Sequence, residues 1–205
     1  DEKRDPAYLP TADKWKRNIW ERFGMYPNAA DCPDDEYNLW REPAAAQMQI
    51  RDVNAAAKGL LCLLEHLKML CRGDAKAFDF LLDAFFGHAL QHPDDKLGIA
   101  LCLVGKKGAG KTTVWEIILR LFGKVACFGT DQPDVDVWGN NNINMIEASW
   151  CRIEEAERKT FAGCLQKLKG KITDNPVRVR ALYCKSVNVP NYTNFFIDTD
   201  NFDAI

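Results

Sequence analysis

The 205-residue chain has no Cys-x-x-Cys pair and no grouping of cysteine and histidine at zinc-ligand spacing, although it carries eight cysteines and three histidines. That excludes a zinc module and a dithiol redox motif. Cys62, Cys71, Cys102 and Cys151 sit inside apolar runs, the pattern of reduced core thiols in a cytosolic or nuclear protein. No apolar run approaches the ~20 residues that cross a bilayer, and no signal peptide is visible. There are no internal repeats and no low-complexity tracts. An excess of one charge sign is also missing: 27 basic residues stand against 29 acidic ones, a net charge of −2. Any nucleic-acid site must therefore be local rather than a property of the whole surface. The chain opens on Asp1-Glu2-Lys3-Arg4, without a methionine, so we expect a piece of a longer or processed protein. What remains is ordinary for a globular chain, 47% hydrophobic and 27% charged, and long enough for one α/β domain with a helical annex.

The most informative stretch is Gly105-Lys106-Lys107-Gly108-Ala109-Gly110-Lys111-Thr112. It reads G-x-x-x-x-G-K-T, a phosphate-binding loop. The apolar run from Ile99 to Val104 precedes it, and Val114, Ile117, Ile118, Leu121 and Phe122 follow at helical spacing. Strand, glycine-rich loop and helix form the context the motif needs. Glycines let successive N–H groups turn toward phosphate oxygens, and the helix N-terminus adds partial positive charge. The expected nucleotide contacts are Gly105, Gly108, Ala109, Gly110, Lys111, Thr112 and Thr113. Lys111 would reach the β- and γ-phosphates of ATP, and the Thr112 hydroxyl would ligate Mg²⁺.

The chain divides into three segments. Residues 1–45 read as an N-terminal arm, rich in aromatics and broken by Pro27, Pro33 and Pro43. Trp15, Ile19 and Phe23 suggest one short amphipathic helix there, and the aromatics are expected to dock on the core, the alternative being a stacking platform for bases. Residues 46–96 read as a helical pair. The first helix, from Asp52 to Cys71, would be capped by Asp52 and present Val53, Ala56, Ala57, Leu60, Leu61, Leu64, Leu67 and Leu70 on one broad face. The second, from about Ala75 to His88, would turn Phe78, Leu81, Leu82, Phe85 and Phe86 inward. His66, His88 and His92 read as surface or boundary residues. Residues 97–205 read as a nucleotide-binding core with a mainly parallel sheet.

Within the core, Lys124–Phe128 reads as a strand, residues 129–145 as loop, and Phe161–Leu168 as helix. Ser149–Ile153 reads as an apolar strand ending in Glu154-Glu155. A nucleotide hydrolase needs such a pair beside its loop: Glu154 is assigned to Mg²⁺ and Glu155 to the attacking water as general base. Arg152 places a charge inside a strand expected to be buried. Val177–Arg180 and Val187–Val189 alternate like the arms of a hairpin, and Asn194–Asn201 reads as a final strand. At the end of that strand Asn201 could hydrogen-bond both the γ-phosphate and the attacking water. Lys111, Glu155 and Asn201 are thus the candidate catalytic residues.

In this order the motifs resemble the helicase part of viral and mobile-element primase-helicases, the superfamily 3 branch of the AAA+ ATPases. Tyr37-Asn38-Leu39-Trp40-Arg41, the helical pair and His92-Pro93-Asp94-Asp95-Lys96 lead into the loop. Ile153-Glu154-Glu155-Ala156 is similar to that family's metal-binding motif. Leu168-Lys169-Gly170 and Val189-Pro190-Asn191-Tyr192 lead to Thr199-Asp200-Asn201 at its sensor. The resemblance covers about residue 37 to the end. It implies an AAA+ type P-loop NTPase in which the sensor strand lies between the loop strand and the acidic strand. It also implies an ATP- and Mg²⁺-dependent helicase that assembles as a homo-oligomeric ring, a hexamer, around single-stranded nucleic acid, with DNA favoured and a primase fused or associated. No membrane role is implied. Arg178, Arg180, Tyr183 and Lys185 on the hairpin would track the strand, or else form a solvated edge ribbon. The chain departs from the family pattern at Leu182, where a basic hairpin tip is usual, and at Asp200, where a small neutral residue is usual. The family's arginine finger would lie beyond Ile205. Two other readings stay open, a small-molecule kinase of P-loop type and a non-hydrolysing, ATP-binding assembly module.

Overall fold

The computed structural model describes residues 22–156, 165–180, 183 and 185–202. Its centre is a four-stranded parallel sheet in the order β3-β8-β5-β4. These strands are β3 (Ala100–Val104), β4 (Cys127–Thr130), β5 (Trp150–Ile153) and β8 (Asn194–Thr199). The last of these four strands in sequence therefore inserts between the first and the third of them, pairing Leu103 with Asp198 on one side and Ile153 with Ile197 on the other. This is the order the resemblance implied.

Alternation along β5 and β8 builds two cores. Trp150 and Phe196 face one side, where they meet Leu67, Leu81, Phe85, Phe86, Val114, Trp115, Ile118 and Phe122. Cys151, Ile153, Phe195 and Ile197 face the other, against Val137, Met145, Leu168, Val177, Val179 and Val189. On the first side, Trp150 sits among Phe85, Phe86 and Phe122 at ring separations of 5.2, 6.4 and 5.3 Å. Burial pushes the Cys127 thiol up to about 12 and raises that of Cys151 as well, which keeps both protonated and unreactive.

The helices covering the first side are α1 (Val53–Leu70) and α3 (Lys111–Phe122), with α2 between them in sequence. Helix α2 runs as α-helix Ala75–Asp79, π-helix Phe80–Gly87 and α-helix His88–Gln91. Asp52 caps α1 through the N–H groups of Asn54 and Ala55, and Asp74 caps α2 through those of Lys76 and Ala77, satisfying donors that a helix start leaves open. Leu81, Phe85 and Phe86 are buried as expected. The broad face expected of α1 is only half used. Leu67 is buried and Leu63 and Leu70 pack beside it, whereas Val53, Leu60 and Leu61 are exposed.

The N-terminal segment differs from the sequence reading. Phe23 belongs to β1 (Arg22–Gly24), which pairs in parallel with β2 (Glu36–Asn38), so the short helix does not extend to it; Trp15 and Ile19 lie outside the described residues. Of the segment that is described, Leu39 packs against the second core and Met25 is buried, whereas the aromatic Phe23 is exposed. In the core itself, residues 124–126 form a 3₁₀ turn and the strand runs on to Thr130. The stretch expected as loop contains α4 (Pro133–Asp136). The described part of the next helix is α5 (Leu165–Thr173); residues 161–164 lie outside the described residues. Antiparallel β6 (Val177–Val179) and β7 (Val187–Val189) make the hairpin, with Arg178 opposite Asn188. Among the described residues, no helix is long and apolar enough to cross a membrane.

Candidate functional site

The carboxyl ends of β3, β5 and β8 and the N-terminus of α3 converge on one cavity of about 670 Å³, within the range of small-ligand sites. Lys107 to Thr113 form one wall; Arg152, Glu154, Glu155 and the run Asp198–Asp200 form the other. Ligands in open α/β sheets gather at this edge.

The loop wall is held from both ends. The Gly105 N–H donates to the Thr199 carbonyl at 3.0 Å, tying the start of the loop to β8. Gly108 and Gly110 have φ of 84° and 91°, a region closed to most other residues. Lys111 opens α3, and its ammonium donates to the carbonyls of Gly105 and, at 3.2 Å, Lys106. Its charge thus lies folded back over the loop. Thr112 and Thr113 are exposed in the first turn. The helical pair reaches the loop through His66, whose Nε2 is 3.3 Å from the Gly110 carbonyl. A boundary position was expected of His66; this contact was not.

The acidic wall starts where β5 ends. The Glu154 N–H donates to the Thr130 carbonyl at 2.9 Å. Glu155 then takes φ 48°, left-handed backbone that costs a non-glycine residue about 1–3 kcal/mol and persists only where neighbours enforce it. The enforcement is visible in Ala156. Its N–H donates to the Asp198 carbonyl at 3.1 Å, and its own carbonyl accepts from Thr199 Oγ1. This turn directs Glu154 and Glu155 into the cavity.

Arg152 is explained by Asp198. Its Nε and Nη2 donate to Asp198 Oδ1 and Oδ2 at 2.8 and 3.0 Å, while Nη1 stands 3.4 Å from Glu154 Oε1. Burial alone would lower the Arg152 pKa, but the hydrogen bonds and charge of Asp198, with Glu154 and Glu116 behind, carry it above its ordinary value. The guanidinium lies 6.0 Å from the centre of the Trp115 ring, an added cation–π contact.

Gly108, Ala109, Gly110, Lys111, Thr112, Thr113, Glu154 and Glu155 are therefore brought together, with Gly105 bonded just behind them. Asn201 is exposed and follows the cavity wall, its N–H donating to Thr199 Oγ1 at 3.1 Å; the wall itself ends at Asp200. Sequence reading missed Asp198 and the partnership that admits Arg152. A signal existed: two opposite charges on two otherwise apolar strands.

The donor set fits ATP with Mg²⁺. Among the described residues no three His, Cys, Asp or Glu side chains are grouped to hold a metal by themselves. Mg²⁺ bound beside phosphates takes only one or two protein oxygens, and Thr112 and Glu154 are hard oxygen donors of that kind.

The hairpin candidates lie elsewhere. Arg178 and Arg180 alternate outward while Val177 and Val179 face the core. Both arginines line an open groove with Trp138, Asn142 and Lys171. Asn142 anchors this ribbon, donating to the Arg178 carbonyl at 3.1 Å and accepting from the Arg180 N–H at 3.0 Å. Tyr183 is 94% exposed and Lys185 is exposed beside it; Leu182 lies outside the described residues.

Residues 103–204 match the profile of DUF5906, a family of unknown function. No curated protein matches the chain. Solved structures similar to it include the apo form of the NrS-1 C-terminal region (305–718), at 21% identity and a TM-score of 0.59, covering 69% of this chain and 34% of that one. A second structure, the A form of the same region, shows 21% identity and a TM-score of 0.57, over 66% of this chain and 32% of that one. The chain thus spans about a third of the structures it resembles, and at this identity the likeness is one of fold.

Proposed function

We propose that this chain is the ATP-hydrolysing part of a superfamily 3 type helicase or translocase, acting in replication on single-stranded nucleic acid, with DNA favoured. The observation that carries the reading is the single cavity in which the glycine-rich loop, Lys111, Thr112, Glu154 and Glu155 meet. The strand order supports it against a small-molecule kinase, because β8 separates the loop strand from the acidic strand. Bound Mg²⁺-ATP would supply the phosphoanhydride whose cleavage drives movement. The chain's part is to hold and align it. Loop N–H groups and the Lys111 ammonium hold phosphate oxygens, Thr112 and Glu154 hold the metal, and Glu155 takes the proton of the attacking water. Asn201 would orient that water from the end of β8.

Assembly as a homo-oligomeric ring, a hexamer, belongs to this proposal, as do an associated primase and an intracellular, reducing location. Arg178, Arg180, Tyr183 and Lys185 would contact the strand. The test is ATP turnover with and without single-stranded DNA. Stimulation by DNA that Glu155→Gln abolishes supports a motor. Phosphate transfer to a small acceptor would support a kinase, and function unchanged by Glu155→Gln would support an assembly module.

A further inference from the structure

Glu154 carries the metal in this reading, yet a glutamate at a strand end has three rotatable side-chain bonds and no orientation of its own. Here two independent features meet at one of its oxygens. On β4, Gly129 leaves bare backbone: a Cβ placed there would stand 2.7 Å from Glu154 Oε1, closer than such atoms approach, with Glu154 Cδ and the Arg152 Cβ at an ordinary 3.8 Å. On β5 itself, Arg152 Nη1 stands 3.4 Å from the same Oε1. Arg152 cannot turn away, because Asp198 grips its other two nitrogens and the pair is buried, at 8% and 4% exposure. The Glu154 backbone is fixed as well, through its bond to Thr130.

We infer that Gly129, Arg152 and Asp198 form a cradle that holds the Glu154 carboxylate in one orientation for Mg²⁺, Gly129 by leaving the space and Arg152 by directing the charge. They are positioning residues, and the inference rests on the ATP-binding reading above. Asp198 has a second consequence. By taking up most of the guanidinium it leaves Arg152 only one arm for Glu154, so the carboxylate is steered without being neutralised as a metal ligand.

The test is ATP binding by calorimetry on the full 205-residue chain, in EDTA and across a Mg²⁺ series. Gly129→Ala adds one methyl group on an exposed strand position, so its thermal unfolding should match the wild type. The Mg²⁺ concentration for half-maximal tightening should rise by about tenfold or more, the effect of disturbing a ligand's supporting shell, while affinity in EDTA stays the same. Arg152→Lys keeps the charge but loses the two-armed grip, and should move the midpoint the same way. In a Glu154→Ala background, Gly129→Ala should add nothing. A Gly129→Ala midpoint equal to the wild type, or a full additional loss without Glu154, overturns the cradle. Wild-type ATP affinity indifferent to Mg²⁺ and to Lys111→Ala overturns the nucleotide reading and the cradle with it, so the two failures are distinct.

Discussion

Arg152 on β5 and Asp198 on β8 face each other diagonally across two neighbouring parallel strands, joined at 2.8 and 3.0 Å. A buried pair of this kind contributes less than its geometry suggests, because both charges lose their water, but breaking it strands one of them. Arg152→Met should therefore cost about 3–5 kcal/mol, seen as a lower urea midpoint. Replacing both, Arg152→Met with Asp198→Leu, should recover most of that loss. A double substitution as unstable as the sum of the two single ones would show that the pair is not coupled.

Lys111 sits at the opposite wall, its ammonium bonded to loop carbonyls of Gly105 and Lys106. Those bonds are within the loop and α3 starts from Gly110 regardless, so the fold does not need the charge. Lys111→Ala should weaken ATP binding by about ten- to a hundredfold, the worth of a charge-assisted phosphate contact. Its circular dichroism should match the wild type. Equal ATP affinity in the folded variant would reject the site.

Gly110 is constrained twice. Its φ is 91°, and a Cβ there would stand 2.3 Å from His66 Cε1. Gly110→Ala should destabilise by at least the ~1–2 kcal/mol of left-handed backbone, and His66→Ala in the same chain should return the part due to the collision. Thermal unfolding of the two single variants and the double variant measures that coupling. Strict additivity would mean that α1 does not touch the loop.

The legible part of the molecule was the part encoded locally. Residues 105–112 announce their own loop through glycine spacing, and Asp52 and the Leu81–Phe86 face announce their helices. The order of strands came from the resemblance, since no residue of Asn194–Thr199 says which neighbours it will take. The Arg152–Asp198 pair depends on register between strands more than forty residues apart, which periodicity along one strand cannot supply. The same limit applies to α1. Its apolar stripe continues from Leu67 back to Val53, but what covers a stripe is decided by the elements beside it, and at Leu60 and Leu61 none of the described ones is. The strands β1 and β2 are three residues each, too short to show an alternation.

Lys96 predicts a pH dependence. Burial lowers its pKa from 10.5 to about 8, with Lys171 pushing the same way and Asp174 opposing, while its ammonium donates to the Lys171 carbonyl at 2.7 Å. Between about pH 8 and 10.5 the unfolded chain holds a proton at Lys96 that the folded chain has released. Stability from this group therefore rises with pH across that window. Comparing wild type with Lys96→Met cancels the other titrating groups, apart from a smaller relief at Lys171. The difference in unfolding free energy should move toward the wild type from pH 7.5 to pH 10. A difference that is flat, or that moves the other way, would mean that the fold does not desolvate the Lys96 ammonium.

The hairpin makes the last prediction, and it bears on the partner. Arg178 and Arg180 point outward from a ribbon whose Val177, Val179 and Val189 are buried and whose carbonyl and N–H are pinned by Asn142. Replacing both arginines with alanine leaves those anchors in place. Both side chains are exposed, and the bonds it removes, among them Arg178 Nε to Ser186 Oγ at 2.8 Å, are surface contacts, so stability should change little. If each arginine neutralises one phosphate, each contributes about 0.7 to the slope of log affinity against log salt on a single strand. The double variant should therefore bind single-stranded DNA more weakly at low salt, with a slope shallower by about 1.4. Fluorescence anisotropy with a labelled oligonucleotide over a range of salt concentrations reads both quantities. Tyr183→Ala should behave differently: a base-stacking contact carries no counterion release, so affinity should fall by the ~1–3 kcal/mol of a stacked base with the slope unchanged. An unchanged slope in the arginine variant would mean that these side chains meet no phosphates and that the strand, if it binds, follows another surface.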